Sequence, residues 1–385
     1  MRSSRSRRIW FTLGCAAISP FCFPGLPSAV RSVAHAAPAK PHTATENAPI
    51  RLAITLDDLP GGGPEVAGYT HARMVADIIA TLQAHHVRSA AGFVVGSMLE
   101  GHPERRAALD QWIEADFDVG NHTYSHHSVS ELGLDAYERD IEADEQIVSE
   151  LERRGGQTER FFRYPYLEEG RTEKERRALG RFLSEHHYTV AKVSIDFEDW
   201  AWADARDRCV ERGDSDVLDR LERRFLVNAD AALEWALVTS RRVFGRSIPQ
   251  VLLLHANVST AHNLDALLTA FERRGVQYIS LSEALADPAY ATDYHIATGN
   301  VFWGRRGADH LARPLEPPPF ALLDHACREK KVASSHTHSS TAIDSGRSAP
   351  TASSQPVRLR RSMTPVAPEL MPRRSRSSTR VSRAD

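Results

Sequence analysis

Cysteine is scarce, with 4 in 385 residues, and no two of them are spaced as Cys-x-x-Cys. That excludes a cysteine-scaffolded small domain, a thiolate zinc ribbon and a dithiol redox motif. Uninterrupted apolar length is lacking too. The long hydrophobic run from Ile9 to Leu26 is broken by Pro20 and Pro24, which argues against a retained membrane span. No internal repeat of roughly 20–50 residues is present, so solenoids and propellers are excluded. An excess of charge of one sign is also missing, since the net charge is -2. The balance is uneven, however: residues 1–36 hold 5 of the 48 basic and none of the 50 acidic residues, and residues 328–385 hold 12 and 4. The middle therefore carries 31 basic against 46 acidic residues, a sign that repels phosphate backbones and argues against a nucleic-acid partner for the folded part.

What is present is ample core-forming material, 42% hydrophobic with 25% charged, in a length that suits one large domain or two ordinary ones. The amino terminus has the form of an export signal, with Arg2, Arg5, Arg7 and Arg8 before the apolar run and Ala34-His35-Ala36 at the cleavage point. Arg7-Arg8 leaves the twin-arginine route open beside the general one, and either ends in the periplasm or outside the cell. The expected organisation is a signal peptide over 1–36, a linker over 37–48 and a main domain over 49–290. A C-terminal extension packed on that domain follows over 291–327, then a disordered basic Ser/Pro/Arg-rich tail over 328–385. In the mature chain only Cys209 and Cys327 remain, enough for one disulfide, which the sequence leaves open.

Short apolar runs alternate with amphipathic stretches between Pro49 and Ala286. Leu52–Leu56, Ala90–Val95, Phe117–Gly120, Tyr188–Val193, Gln250–Leu254 and Gln277–Ser280 read as strands. Leu134, Tyr137, Ile141, Val148 and Leu151 lie at helical spacing before Gly155-Gly156, and further helices fit Met74–His86, Glu173–His186, Ser215–Phe244 and Asn263–Arg274. This alternation predicts an α/β fold with a parallel sheet, closed or partly closed, and helices outside, so chemistry belongs beyond the C-terminal strand ends.

Polar motifs sit at those ends. Asp57-Asp58, before Leu59-Pro60, offers two carboxylates pointing in different directions, one able to bind a cation and one to take a proton. A turn-forming Asp pair is the plainer account. In Asn121-His122-Thr123-Tyr124-Ser125-His126-His127, a helical turn after Asn121 would bring His122 and His126 onto one metal ion and leave His127 as polar surface. Two imidazoles, one carboxylate and water suit a catalytic zinc or similar divalent transition metal. Arg163 follows Phe161-Phe162, Asp199-Trp200 follows the next strand, and His255 ends a later one. Taken singly these read as a surface ion pair, a helix N-cap and a core histidine.

In this order the motifs resemble those of the polysaccharide deacetylases of carbohydrate esterase family 4, over Leu52 to about Ala286. The resemblance implies a distorted, incomplete (β/α) barrel and metal-dependent hydrolysis of N-acetyl groups on an amino-sugar polymer or oligomer. It implies Asp57 as base, Asp58, His122 and His126 as metal ligands, and Arg163 as the residue orienting the base. It also implies the Tyr166 N–H as part of an oxyanion hole, Asp199 as the partner of His255 and His255 as the acid, and Trp200 is read as a substrate contact. Two departures stand out: Leu59-Pro60 replaces the Gly-Pro usual after the Asp pair, and Leu167 replaces the Gly after Pro165-Tyr166. Glu168 and Glu169 beside it would favour a cationic sugar or be solvated. The alternatives are hydrolysis of another C–N amide bond, in a cyclic ureide or small N-acyl compound, and an inactive glycan-binding homologue. A two-carboxylate glycosidase would leave the histidines unexplained.

Overall fold

Short β-branched and aliphatic runs pair as seven parallel strands: β1 (Ile50–Leu59), β2 (Ala90–Val94), β3 (Asp118–Asn121), β4 (Arg160–Phe162), β5 (Tyr188–Val190), β6 (Gln250–His255) and β7 (Val276–Tyr278). The helices are α1 (His71–Ala84), α2 (Arg106–Glu114), α3 (Val129–Leu132), α4 (Leu134–Gly155), α5 (Glu173–Glu185) and α6 (Ala203–Arg212). They continue as α7 (Ser215–Phe244), α8 (Val258–Arg273), α9 (Leu281–Leu285), α10 (Pro288–Ala291), α11 (Val301–Gly304) and α12 (Phe320–His325). This computed structural model describes residues 49–63, 65, 68–291, 301–304 and 315–328. The expected signal peptide, the linker and the tail from 329 onward lie outside them. The chain divides into units Met1–Glu329 and Lys330–Asp385, and every described residue belongs to the first.

The sheet runs β5-β4-β3-β2-β1-β6, and β7 pairs with the start of β1. It curls, because the chain leaving β5 bridges Ile195 to Leu252 of β6 and closes the ring through that contact. The result is an incomplete (β/α) barrel. β1 lies centrally, and Leu52, Ala53, Ile54 and Leu56 are buried in it without the polar alternation of a half-exposed strand, as expected where both faces of a parallel sheet are covered. The anticipated strands fall where expected within a few residues. β4 was not anticipated as a strand, and its three residues are too short to show a period. Helices α2, α6 and α9 were not anticipated either. α7 spans the expected residues, capped by Asp214, whose side chain accepts the N–H of Val217, and ended by Gly245 at φ 69°.

The described parts of the stretch after the barrel return to it. Trp303 is buried, donates its indole N–H to the Ser194 carbonyl at 2.7 Å and meets Trp235 edge-on. Helix α12 is held on α6 by a disulfide between Cys209 and Cys327. Arg208 donates to the carbonyls of Leu323 (2.6 Å) and Ala326 (3.2 Å), and Arg212 donates to that of Cys327 (3.2 Å). These arginines satisfy carbonyls that a helix end leaves unpaired. Because the disulfide joins residues 118 apart, it removes much freedom from the unfolded chain. Cys327→Ser and Cys209→Ser should each lower stability by about 2–4 kcal/mol in urea unfolding. A loss below about 0.5 kcal/mol would show that the bridge contributes nothing beyond the α6–α12 packing.

Candidate active site

β1 ends in a register shift between Leu56 and Leu59, and Asp58 takes a left-handed φ of 66°. The two carboxylates therefore diverge. Asp57 turns inward to Arg163, whose Nη1 donates to its Oδ1 and Oδ2 at 3.1 and 3.3 Å. Arg163 is only 1% exposed, so the surface ion pair it suggested in isolation is not what forms. Its Nε donates to the Ala191 carbonyl at 2.7 Å, its Nη2 donates to Thr55 Oγ1 at 3.1 Å, and it lies 4.5 Å above the Phe93 ring. Burial raises the Asp57 pKa against the opposing pull of Arg163, which suits a carboxylate that must accept a proton.

Asp58 turns the other way, towards the histidines of the loop after β3. Its Oδ1 lies 3.3 Å from His126 Nε2 and 3.8 Å from His122 Nε2. The expected helical turn after Asn121 does not form. Residues 122–128 are a loop, and the imidazoles converge because Thr123 and His126 take φ of 63° and 57°. His127 stays exposed, its Nδ1 2.9 Å from Ser125 Oγ. One donor atom from each of Asp58, His122 and His126 lies within 4.8 Å of the others. The donors fit a divalent transition ion on two further counts. Asp58 Oδ1 is buried with no hydrogen-bond partner. Burial pushes the His122 pKa down to about 3, so the ring is neutral, and its Nδ1 donates to the Arg163 carbonyl at 2.8 Å, which leaves Nε2 facing both carboxylates, 3.5 Å from Asp57 Oδ2 and 3.8 Å from Asp58 Oδ1.

His255 stands at the end of β6, paired in register with Asp57 of β1. Its Nδ1–H meets Asp199 Oδ1 at 2.7 Å, while Asp199 Oδ2 accepts the His255 backbone N–H (2.8 Å) and the Thr260 hydroxyl (2.7 Å). Asp199 is fully buried and caps no helix through its side chain. Burial disfavours charge on His255, but the charge and hydrogen bond of Asp199 outweigh it and push the pKa up to about 10. Among the described residues the backbone N–H of Tyr166 has no backbone hydrogen bond outside its own helical turn, and its ring lies 4.9 Å from that of His126. Tyr166 and Leu167 both have positive φ, 57° and 53°, so Leu167 occupies a conformation that glycine adopts more easily. Glu168 is engaged by Ser130, through its N–H and its hydroxyl, so it is not simply solvated. Trp200 stands half exposed one residue beyond Asp199.

Sequence reasoning missed the residues that hold the histidine loop. Asp140 Oδ2 accepts from the N–H and hydroxyl of Ser125 at 3.0 and 2.9 Å, and Asp140 O accepts from Tyr124 N at 3.2 Å. Asp144 Oδ2 accepts the His122 N–H at 3.3 Å, and Asn121 Nδ2 donates to the Ile141 carbonyl at 2.9 Å. The signal was present: Asp144 falls on the apolar stripe of α4 between Ile141 and Val148, and a buried acid on such a stripe needs a donor.

The sequence model of the polysaccharide deacetylase family matches residues 45–181. A peptidoglycan-N-acetylglucosamine deacetylase of Bacillus cereus is 28% identical over 151 residues, covering 39% of this chain and 46% of that protein, so the chain spans about half the length of this curated relative. Among solved structures, a peptidoglycan deacetylase of Bacillus subtilis is 21% identical over 62% of this chain and 90% of its own, with a TM-score of 0.39. A pseudoenzyme of carbohydrate esterase family 4 from Bacillus anthracis is 18% identical over 63% of this chain and 66% of its own, with a TM-score of 0.41.

Because Asp140 fixes the residue next to His126, a candidate ligand, Asp140→Ala should weaken binding of added zinc about 10- to 100-fold if this donor set holds it, the usual scale for a lost outer partner of a ligand. Titration of the metal-free chain against a competing chromophoric chelator measures this. Unchanged affinity would mean that α4 does not set the loop.

Proposed function

With residues 45–181 assigned to the polysaccharide deacetylase family, we propose that the chain is a metal-dependent hydrolase of N-acetyl groups on an amino-sugar polymer or oligomer. The observation that carries this reading is the meeting, at the C-terminal ends of parallel strands, of the Asp58-His122-His126 donor set with two titratable groups, each held by a buried partner. These are Asp57 against Arg163 and His255 against Asp199. Asp58, His122 and His126 would hold one divalent ion, zinc by donor type. When bound, such an ion supplies Lewis-acid polarisation and a more acidic water.

The chain's own groups do the rest. Asp57, held by Arg163, takes the proton of the attacking water. The Tyr166 N–H donates to the oxygen that gains charge as the acetamide carbonyl becomes tetrahedral. His255, kept protonated by Asp199, gives its proton to the departing nitrogen, and acetate and a free amine result. Trp200 flanks the sugar. Export is part of the same proposal: the signal-like amino terminus, the Cys209–Cys327 bridge and a cell-envelope glycan substrate all suit an oxidising compartment outside the cytoplasm. No helix among the described residues is long and apolar enough to cross a membrane. The proposed domain limits are the signal peptide, linker, catalytic domain, extension and basic tail set out above. Hydrolysis of a smaller amide by the same groups is the alternative, favoured by Leu167, whose bulk replaces a glycine at the turn beside the cleft.

Acetate release from chitin oligomers and from peptidoglycan, with elemental analysis of the purified chain, tests the reading. No release from either, with release of ammonia or acid from small amides, would replace it. Asp57→Asn should keep about one metal per chain and lose about 10²–10⁴-fold in turnover, whereas Asp58→Ala should lose metal and activity together. Near-normal turnover in Asp57→Asn would remove it as base.

The pH profile carries a second test. His255 acts while protonated, and with its pKa pushed up to about 10 it remains so through neutral pH and loses the proton as pH rises through that value. Asp199→Asn removes the largest charge that raises this pKa and leaves only the weaker pull of Asp58 and Asp57 against burial, which lowers it. The alkaline limb of kcat/KM should then move towards acid and turnover at pH 8 should collapse. An alkaline limb that stays in place would rule out His255 as the acid.

A further inference from the structure

Three aromatic side chains stand largely exposed among the described residues: Tyr166, Trp200 and Phe320. Tyr166 lies over His126, and Trp200 follows Asp199 directly in one short helical turn, which ties its backbone to the site. Phe320 comes from elsewhere. It opens α12, more than a hundred residues later in the chain, and its ring centroid lies 6.3 Å from that of Trp200 at 40°. The two rings are 51% and 41% exposed, so neither uses the other as a lid. They share a hollow of about 210 Å³ whose rim is charged, with Asp204, Arg208, Asp324 and Arg328.

We propose that Trp200 and Phe320 form a second sugar-binding position, taking a pyranose ring of the same glycan next to the residue being deacetylated. The proposal rests on the reading of the site as a glycan deacetylase. A pyranose has an apolar C–H face and a rim of hydroxyls, which calls for an aromatic platform bordered by charged and polar side chains. The volume is below the roughly 300–1,000 Å³ of an enclosing pocket and suits one ring of a longer chain. Continuity is provided by Trp200, whose neighbour Asp199 holds His255. Rigidity is provided by the attachment of α12, through the Cys209–Cys327 bridge and the carbonyls taken by Arg208 and Arg212. A platform that loses little freedom on binding contributes more of its contact to affinity. The extension thus adds a chain-length preference to a barrel whose chemistry lies elsewhere.

The test uses the full chain and its Phe320→Ala, Phe320→Tyr and Leu322→Ala variants. Leu322 is also exposed and lies on the same helix but outside the hollow. Acetate release is measured on N-acetylglucosamine oligomers of two to six units, and binding of the hexamer is measured by calorimetry. Phe320→Ala should raise KM for the hexamer about 3- to 10-fold with kcat unchanged and leave the dimer untouched. Phe320→Tyr should restore the hexamer KM, and Leu322→Ala should match the parent. Equal KM changes at every length, or none, would overturn the platform while leaving deacetylation standing. If the parent chain binds the hexamer without releasing acetate, the functional reading falls and the platform is judged by whether Phe320→Ala weakens binding. If it neither binds nor releases, both fall.

Discussion

A guanidinium buried at the mouth of a barrel is expensive, several kcal/mol before compensation, and this fold meets that cost by spending every arm of Arg163. One edge holds Asp57, another Thr55, the Nε reaches the chain leaving β5, and Phe93 lies beneath. The strand β4, which delivers Arg163, is thereby tied to β1, β2 and the segment after β5. The residue acts a second time through its backbone, because its carbonyl takes the Nδ1–H of His122. The orientation of the proposed base and the tautomer of a proposed metal ligand thus depend on one residue. Removing either partner of the Asp57–Arg163 pair would leave a buried charge uncompensated, at a cost of about 3–5 kcal/mol.

Strain is distributed in keeping with this. Among the described residues ten non-glycine residues have positive φ, and six of them lie at the site: Asp58 at the end of β1, and Thr123, His126, Tyr166, Leu167 and Glu198. Each sparsely populated conformation costs on the order of 1–3 kcal/mol and persists where its surroundings over-determine it. The surroundings here are identifiable. Asp140 and Asp144 hold the loop of Thr123 and His126 from α4, and Ser130 holds Glu168 beside Leu167. The loops of the site are clamped from the helices outside the sheet.

How much of this was legible follows from the range of each interaction. Strand and helix periods are local, so β1, β6 and α7 were readable from their own residues. The parallel class followed from their alternation. β4 was not, because three residues carry no period and its place is fixed by Arg163 reaching across the sheet. The spacing of His122 and His126 suggested a helical turn, since four residues span one turn. The turn fails because Thr123 and His126 take left-handed φ, while Tyr124 and Ser125 between them bond to Asp140 and His126 faces Asp58. Asp199 taken singly looked like an N-cap from its position before Trp200; the ordered motifs implied it as the partner of His255, and the approach of β6 brings the two within 2.7 Å. The pairing of Cys209 with Cys327 needed the fold of α12, which sequence separation alone does not give.

The two proposed proton-transfer groups illustrate how position in a sheet can become chemistry. Asp57 and His255 are register partners on adjacent parallel strands, so their separation is set by strand spacing and their direction by the pleat. Side chains alternate with a period of two, and a slip of one residue between β1 and β6 would turn one of them out of the mouth. The slip is opposed by Leu52–Leu56 and Val251–Leu254, which would exchange their places between the interior of the barrel and the helix layer. Burial acts on both groups and favours the neutral form of each. What separates them is the neighbour: Arg163 beside Asp57 favours the carboxylate, and Asp199 beside His255 favours the imidazolium. Each group of the proposed acceptor and donor pair thus has its own buried counter-charge working against burial: Arg163 only partly offsets it at Asp57, and Asp199 more than offsets it at His255.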